Sequence, residues 1–120
     1  MGVKMEKENN KDLNEQTKEG FNINLNEIMN FSEGGINSRV LAKSENYNYT
    51  LMNLAKGTDI DTHTSTKTGF VQMSKGKGTF KLFNNEIKLE PGVFIFMPAN
   101  APHSLKADED LAMLLCLNSE

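Results

Sequence analysis

The sequence predicts an all-β fold, a sandwich or barrel of short strands. Three observations carry this. Short segments in which apolar and polar residues alternate follow one another at close spacing through most of the chain. Gly, Pro and Asn signals punctuate them, as at Gly76-Lys77-Gly78, Asn84-Asn85, Pro91-Gly92 and Pro98. No stretch sustains helical spacing; Leu25, Ile28 and Met29, at i, i+3 and i+4, suffice for one turn.

The elements follow in order. Phe21-Asn22-Ile23-Asn24-Leu25 alternates and predicts a half-buried strand. Residues 39–43 form the next. In residues 47–55, Tyr47, Tyr49 and Leu51 share one face while Met52 and Leu54 share the other. Residues 60–65 and 70–74 are two more strands, and Phe80 and Leu82 mark a fifth in this series. Asn84-Asn85 suits the positive-φ turn of a tight hairpin, with Ile87 and Leu89 on the return strand. Residues 93–97 are all apolar, which predicts a strand buried on both faces. Residues 103–106 and 111–117 are the last two strands.

At 120 residues the chain holds one modest core. Residues 1–20 are charged and Asn-rich with no apolar period, so they read as a flexible arm, and residues 21–120 as the single domain. A net charge of −3 excludes a nucleic-acid binder that works by bulk charge. No run of 18 apolar residues spans a membrane. The N-terminus shows no apolar signal region. One cysteine, Cys116, excludes an intrachain disulfide framework and suits a reducing compartment, the cytoplasm.

Two stretches carry the chemistry. Residues 57–76 contain Gly57, His63 and Gly76; residues 92–103 contain Gly92, Pro98 and His103. Their order and separation resemble the cupin superfamily. Its first motif is Gly, five residues, His, one residue, His, three or four residues, Glu, six residues, Gly. Its second is Gly, five residues, Pro, one residue, Gly, two residues, His, three residues, Asn. The match covers about residues 35–117, and within the superfamily the chain is similar to small single-domain conserved-barrel proteins without an assigned activity. The resemblance implies a double-stranded β-helix, or jelly-roll, barrel of the RmlC-like kind. It also implies a homodimer, for which the first strand and an exposed edge are suited.

The departures matter as much. The family holds a metal with three His and one Glu. Its second His is Ser65 here, its Glu falls on Gly69, the second motif's Gly is Asn100 and its Asn is Ala107. Only His63 and His103 remain at ligand positions. By strand alternation His63 points with Asp61 and Ser65, while Thr62, Thr64 and Thr66 face outward.

Two readings follow. In the first, the chain binds a small molecule inside the barrel, in a pocket of His63, Ser65, Met73, Phe96 and His103. In the second, it is a metal-dependent enzyme of oxygenase or isomerase type. His63, His103 and the outlying Asp61 would then hold a divalent ion such as Zn, Fe, Ni or Mn at low occupancy. The missing Glu and second His favour binding, because two fixed ligands orient a metal poorly. Met52, Met73, Met97 and Met113 read as core filler, and Cys116 as a buried inert thiol. Ser65 and Ser104 lie close to a His in sequence, but neighbours on one strand point apart or stand about 7 Å apart, so neither forms the Ser–His pair that a triad needs.

Overall fold

The computed structural model describes residues 18–32 and 34–120. The expected arm therefore lies outside the described residues, except for residues 18–20. Nine strands follow: β1 (Ile36–Lys43), β2 (Tyr47–Leu54), β3 (Asp59–His63), β4 (Thr68–Lys75), β5 (Gly78–Leu82), β6 (Asn85–Leu89), β7 (Phe94–Met97), β8 (His103–Ala107) and β9 (Leu111–Asn118). They make a five-stranded sheet in the order β1-β2-β9-β4-β7 and a four-stranded sheet in the order β3-β8-β5-β6. The paired strands are antiparallel throughout. The fold is the predicted two-sheet jelly roll.

The inward faces form one core. Leu54, Val71, Met73, Ile95, Met97, Leu111 and Met113 come from the five-stranded sheet. Phe80, Leu89, Leu105 and Ala107 come from the other. Each fully buried Leu or Phe contributes roughly 1.5–3 kcal/mol by leaving water. β9 is the central strand of its sheet, and its run Leu111–Asn118 carries no charge. On its outward side Ala112 and Cys116 are buried too.

Four expectations change. Residues 21–24 form no strand; a 3-10 turn, Leu25–Glu27, follows instead. Asn24 caps it, its side-chain oxygen accepting the Asn26 N–H at 3.0 Å. That local bond competes with strand pairing, as Asn side chains often do. The hairpin turn falls on Phe83-Asn84 rather than Asn84-Asn85, with Phe83 at φ 53° and Leu82 paired to Asn85. β3 ends at His63, two residues early.

The fourth correction is the largest. β7 is an edge strand, not a central one. Ile95 and Met97 point into the core, but Phe94 and Phe96 are 59% and 56% exposed. An all-apolar run is silent about which of its faces a protein covers. Here the chain itself covers one.

Candidate functional site

β3 and β8 are neighbours, and His63 stands directly opposite His103 in their register. The pairing is irregular. Ile60 faces Leu105 and His63 faces His103, so three steps on β3 match two on β8. This is a bulge, which disrupts the ladder and re-aims side chains. It brings both Ile60 and His63 to the barrel interior, although their odd spacing would put them on opposite faces of a regular strand. Counting by twos from His63 therefore misplaces Asp61. Asp61 is exposed and lines the outer surface with Asp59, Lys81 and Lys106.

The two imidazoles meet edge to face, with ring centroids 4.2 Å apart and planes at 60°. Phe80 lies parallel to His103 on the neighbouring strand β5, its centroid at 5.8 Å and its plane tilted by 3°. Each His ring is held in the same way. His63 Nδ1 lies 2.9 Å from the Asp61 carbonyl oxygen, and His103 Nδ1 lies 2.8 Å from that of Ala101. A carbonyl oxygen can only accept, so in each ring Nδ1 carries the proton. Nε2 is left with its lone pair, the other nitrogen being fixed by its bond. Both acceptors sit two residues before their histidine, a repeated local device.

The rings border an interior cavity of about 50 Å³. Its other walls are Ile60, Met52, Val71, Phe80, Leu105, Leu115, Met97 and Met113. All are apolar, so the imidazoles are its only polar walls. His103 is 9% exposed, whereas His63 is exposed and stands at the opening. Burial holds the His103 pKa below its ordinary 6.5. Donation to Ala101 works the other way, and the charge that His63 would carry adds to the lowering. Burial thus favours the neutral form of the deeper ring.

Of the residues expected to line the pocket, His63 and His103 do so. Met73 lies in the core, 2% exposed, but off the cavity. Phe96 is on the outward face of β7 and cannot reach the interior. Ser65 lies past the end of β3. Its carbonyl accepts the Asn100 N–H at 2.7 Å and its hydroxyl oxygen accepts the Lys67 N–H at 3.2 Å. Ser65 thus ties two loops together. Ile60 is the wall residue that strand alternation misses, because only the bulge turns it inward.

The donor set does not fit a four-ligand metal centre. Among the described residues no group of three His, Cys, Asp or Glu side chains converges. The position where the family carries Glu is closed as well as changed. A Cβ on Gly69 would stand 2.5 Å from both the Cys116 carbonyl oxygen and Leu117 Cδ2. A divalent ion held by Asp61 with the two histidines is likewise unsupported, since the Asp61 carboxylate is on the outer surface. By contrast, Asn100 replaces the family's Gly without harm to the turn. It sits at φ 67°, where Asn is among the residues best tolerated.

Comparison with known proteins agrees with the two-sheet fold. A conserved protein of unknown function from Streptococcus pyogenes has a solved structure with TM-score 0.76 and 26% identity, covering 84% of this chain and 89% of that one. A cupin 2 conserved barrel domain protein from Leptotrichia buccalis is 31% identical at TM-score 0.75, over 81% of this chain and 47% of that one. A salicylate 1,2-dioxygenase from Pseudaminobacter salicylatoxidans is 19% identical at TM-score 0.65, over 70% of this chain and 26% of that one, a likeness of fold alone. No curated protein matches. The family model described as the cupin domain matches residues 50–118, which hold both histidines, most of β2 and all of β3 to β9. With this match and the two-sheet barrel, the chain belongs to the cupin family.

Proposed function

We propose that this cupin is a binding module for a small, uncharged molecule that presents a hydrogen-bond donor. One observation carries the reading: two opposed imidazoles, each with Nδ1–H tied to a main-chain carbonyl, border an otherwise apolar cavity. Two lone pairs in an apolar enclosure suit an O–H or N–H donor. They repel a carboxylate, which brings only acceptors and a charge to desolvate. A cavity of about 50 Å³ seats a few heavy atoms, or the tip of a longer molecule entering past His63. Without a converging third ligand, the metal-dependent oxygenase or isomerase reading stands behind this one. A reducing cytoplasm is the setting that suits the buried thiol of Cys116.

The test is long-range proton–nitrogen NMR of the histidine side chains in the full chain near neutral pH. Both rings are expected as the Nδ1–H tautomer. Propan-1-ol and acetamide are expected to shift both Nε2 signals saturably, and acetate to leave them unmoved. In the His63→Ala, His103→Ala double variant, the shifts of cavity methyl signals caused by propan-1-ol should disappear while the fold persists. A response to acetate but not to propan-1-ol would overturn the reading.

A further inference from the structure

The turn between β5 and β6 consists of Phe83 and Asn84, since Leu82 pairs with Asn85. Phe83 sits at φ 53°, where a bulky residue is strained and Gly or Asn is at ease. Its N–H donates to the Pro102 carbonyl oxygen at 2.9 Å, tying the turn to the residue before β8. The ring gains little burial there; it is 51% exposed. A strained backbone that holds an aromatic ring in water points to a role outside the core. That ring borders a surface cleft of about 350 Å³. Three neighbouring strands supply more of its wall: Thr62 from the β3 bulge, Ser104 from β8 and, across from Ser104, Lys81 from β5. Asn84 joins them from the turn. Among the described residues, no hydrogen bond or ion pair engages the side chains of these four.

We propose that this cleft binds a monosaccharide carrying one carboxylate, a sugar acid. Each part of the wall answers one part of such a ligand. The exposed phenyl face takes the C–H face of a pyranose ring, which is apolar and flat enough to stack. Thr62, Ser104 and Asn84 both donate and accept, as sugar hydroxyls do, so they pair in either sense. Lys81 is the one Lys, Arg, Asp or Glu on the wall, and its ammonium suits a single negative charge. A doubly charged phosphate fits worse. Glu86 stands opposite Lys81 in the register, and the adjoining groove of about 480 Å³ holds Asp59, Asp61 and Glu86 against Lys81 and Lys106. That field accepts one added negative charge beside Lys81 and works against a second. The cleft's volume falls within the roughly 300–1,000 Å³ of small-molecule sites. The cleft lies on the outer side of the four-stranded sheet, so the proposal does not depend on the interior cavity, although His103 borders both.

Amide NMR titration of the full chain tests it. D-Glucuronate is expected to shift the Phe83 and Asn84 amide signals saturably, with a dissociation constant of about 1–10 mM. D-Glucose should bind at least ~5-fold more weakly, and glucose 6-phosphate no more tightly than glucuronate. Lys81→Met should remove the advantage of glucuronate over glucose. Phe83→Gly should weaken both sugars at least ~5-fold while the melting temperature holds, because Gly is unstrained at that φ. Glu86→Gln should tighten glucuronate about twofold. No saturable shift up to about 50 mM glucuronate would overturn the proposal. Equal binding of glucose, tighter binding of the phosphate, or an affinity unmoved by Lys81→Met would overturn it as well. A Phe83→Gly chain that binds like the wild type would take the ring out of the site and overturn it equally.

Discussion

Phe80 is the residue at which packing and site meet, and its truncation has a calculable result. Its side chain is 1% exposed, lies flat against His103 and forms one wall of the cavity. Phe80→Ala removes the ring and leaves about 100 Å³ of new space; at ~24 cal/mol per Å³ this is about 2.4 kcal/mol. Loss of the ring's own burial adds roughly 1.5–3 kcal/mol, giving an expected cost of about 4–5 kcal/mol. Urea unfolding followed by circular dichroism measures it. Because folded domains of this size hold only ~5–15 kcal/mol, Phe80→Leu is the companion variant, expected to lose about 1–1.5 kcal/mol. The new space joins a cavity of about 50 Å³, so benzene should restore part of the lost stability in Phe80→Ala and do nothing for the wild type. A cost below about 1 kcal/mol for Phe80→Ala would refute the claim that this ring is packed between sheet and imidazole.

Three further outcomes are expected. The His103 pKa is lowered on folding, so the unfolded chain binds its proton more readily. Its contribution to stability is full above pH 6.5 and declines as pH falls from there toward the depressed folded value. The melting temperature of the wild type should therefore drop relative to that of His103→Gln across this window, and parallel curves would refute it. Gly69→Glu should not rebuild a metal site. Its Cβ meets the Cys116 carbonyl, so it should cost on the order of 2–3 kcal/mol in urea and gain no zinc by metal analysis. Asp61→Asn should leave the His63 tautomer unchanged by NMR, because the main-chain carbonyl and not the carboxylate holds the ring. A change of tautomer would show that the side chain takes part.

Much of this architecture is legible in the sequence because alternation is a direct print of a two-faced sheet. Met52 and Leu54 against Tyr49 and Leu51 read correctly, and β2 lies where they place it. Gly57, His63, Pro98 and His103 carry the fold through their spacing alone. What failed was of two kinds. Phe94 and Phe96 are as apolar as Ile95 and Met97, and composition cannot say that one side of an edge strand lacks a cover. Asp61 departs from strand alternation because a bulge adds a residue without leaving a chemical mark, and every side chain before it changes face relative to those after it. The Asn24 cap with Glu27 three residues on was a readable helix-start signal, masked by the alternation of Phe21, Ile23 and Leu25.

The bulge in β3 has a meaning for how this site tolerates changes in chain length. Asp61 and Thr62 together oppose the one residue between Leu105 and His103, and neither has a partner in the register. Shortening the strand by one of them would restore a regular ladder and still leave the histidine two steps from Ile60, facing inward and opposite His103. Orientation would survive the deletion. The seating of the Asp61 carbonyl against His63 Nδ1–H would not, because removing a residue shifts that oxygen relative to the ring. The ring would then be at liberty to carry its proton on either nitrogen. The extra residue thus works as a chemical setting rather than a spacer: it decides which edge of the imidazole the cavity sees. A one-residue deletion here would thus alter the polar wall of the cavity without replacing any side chain that lines it.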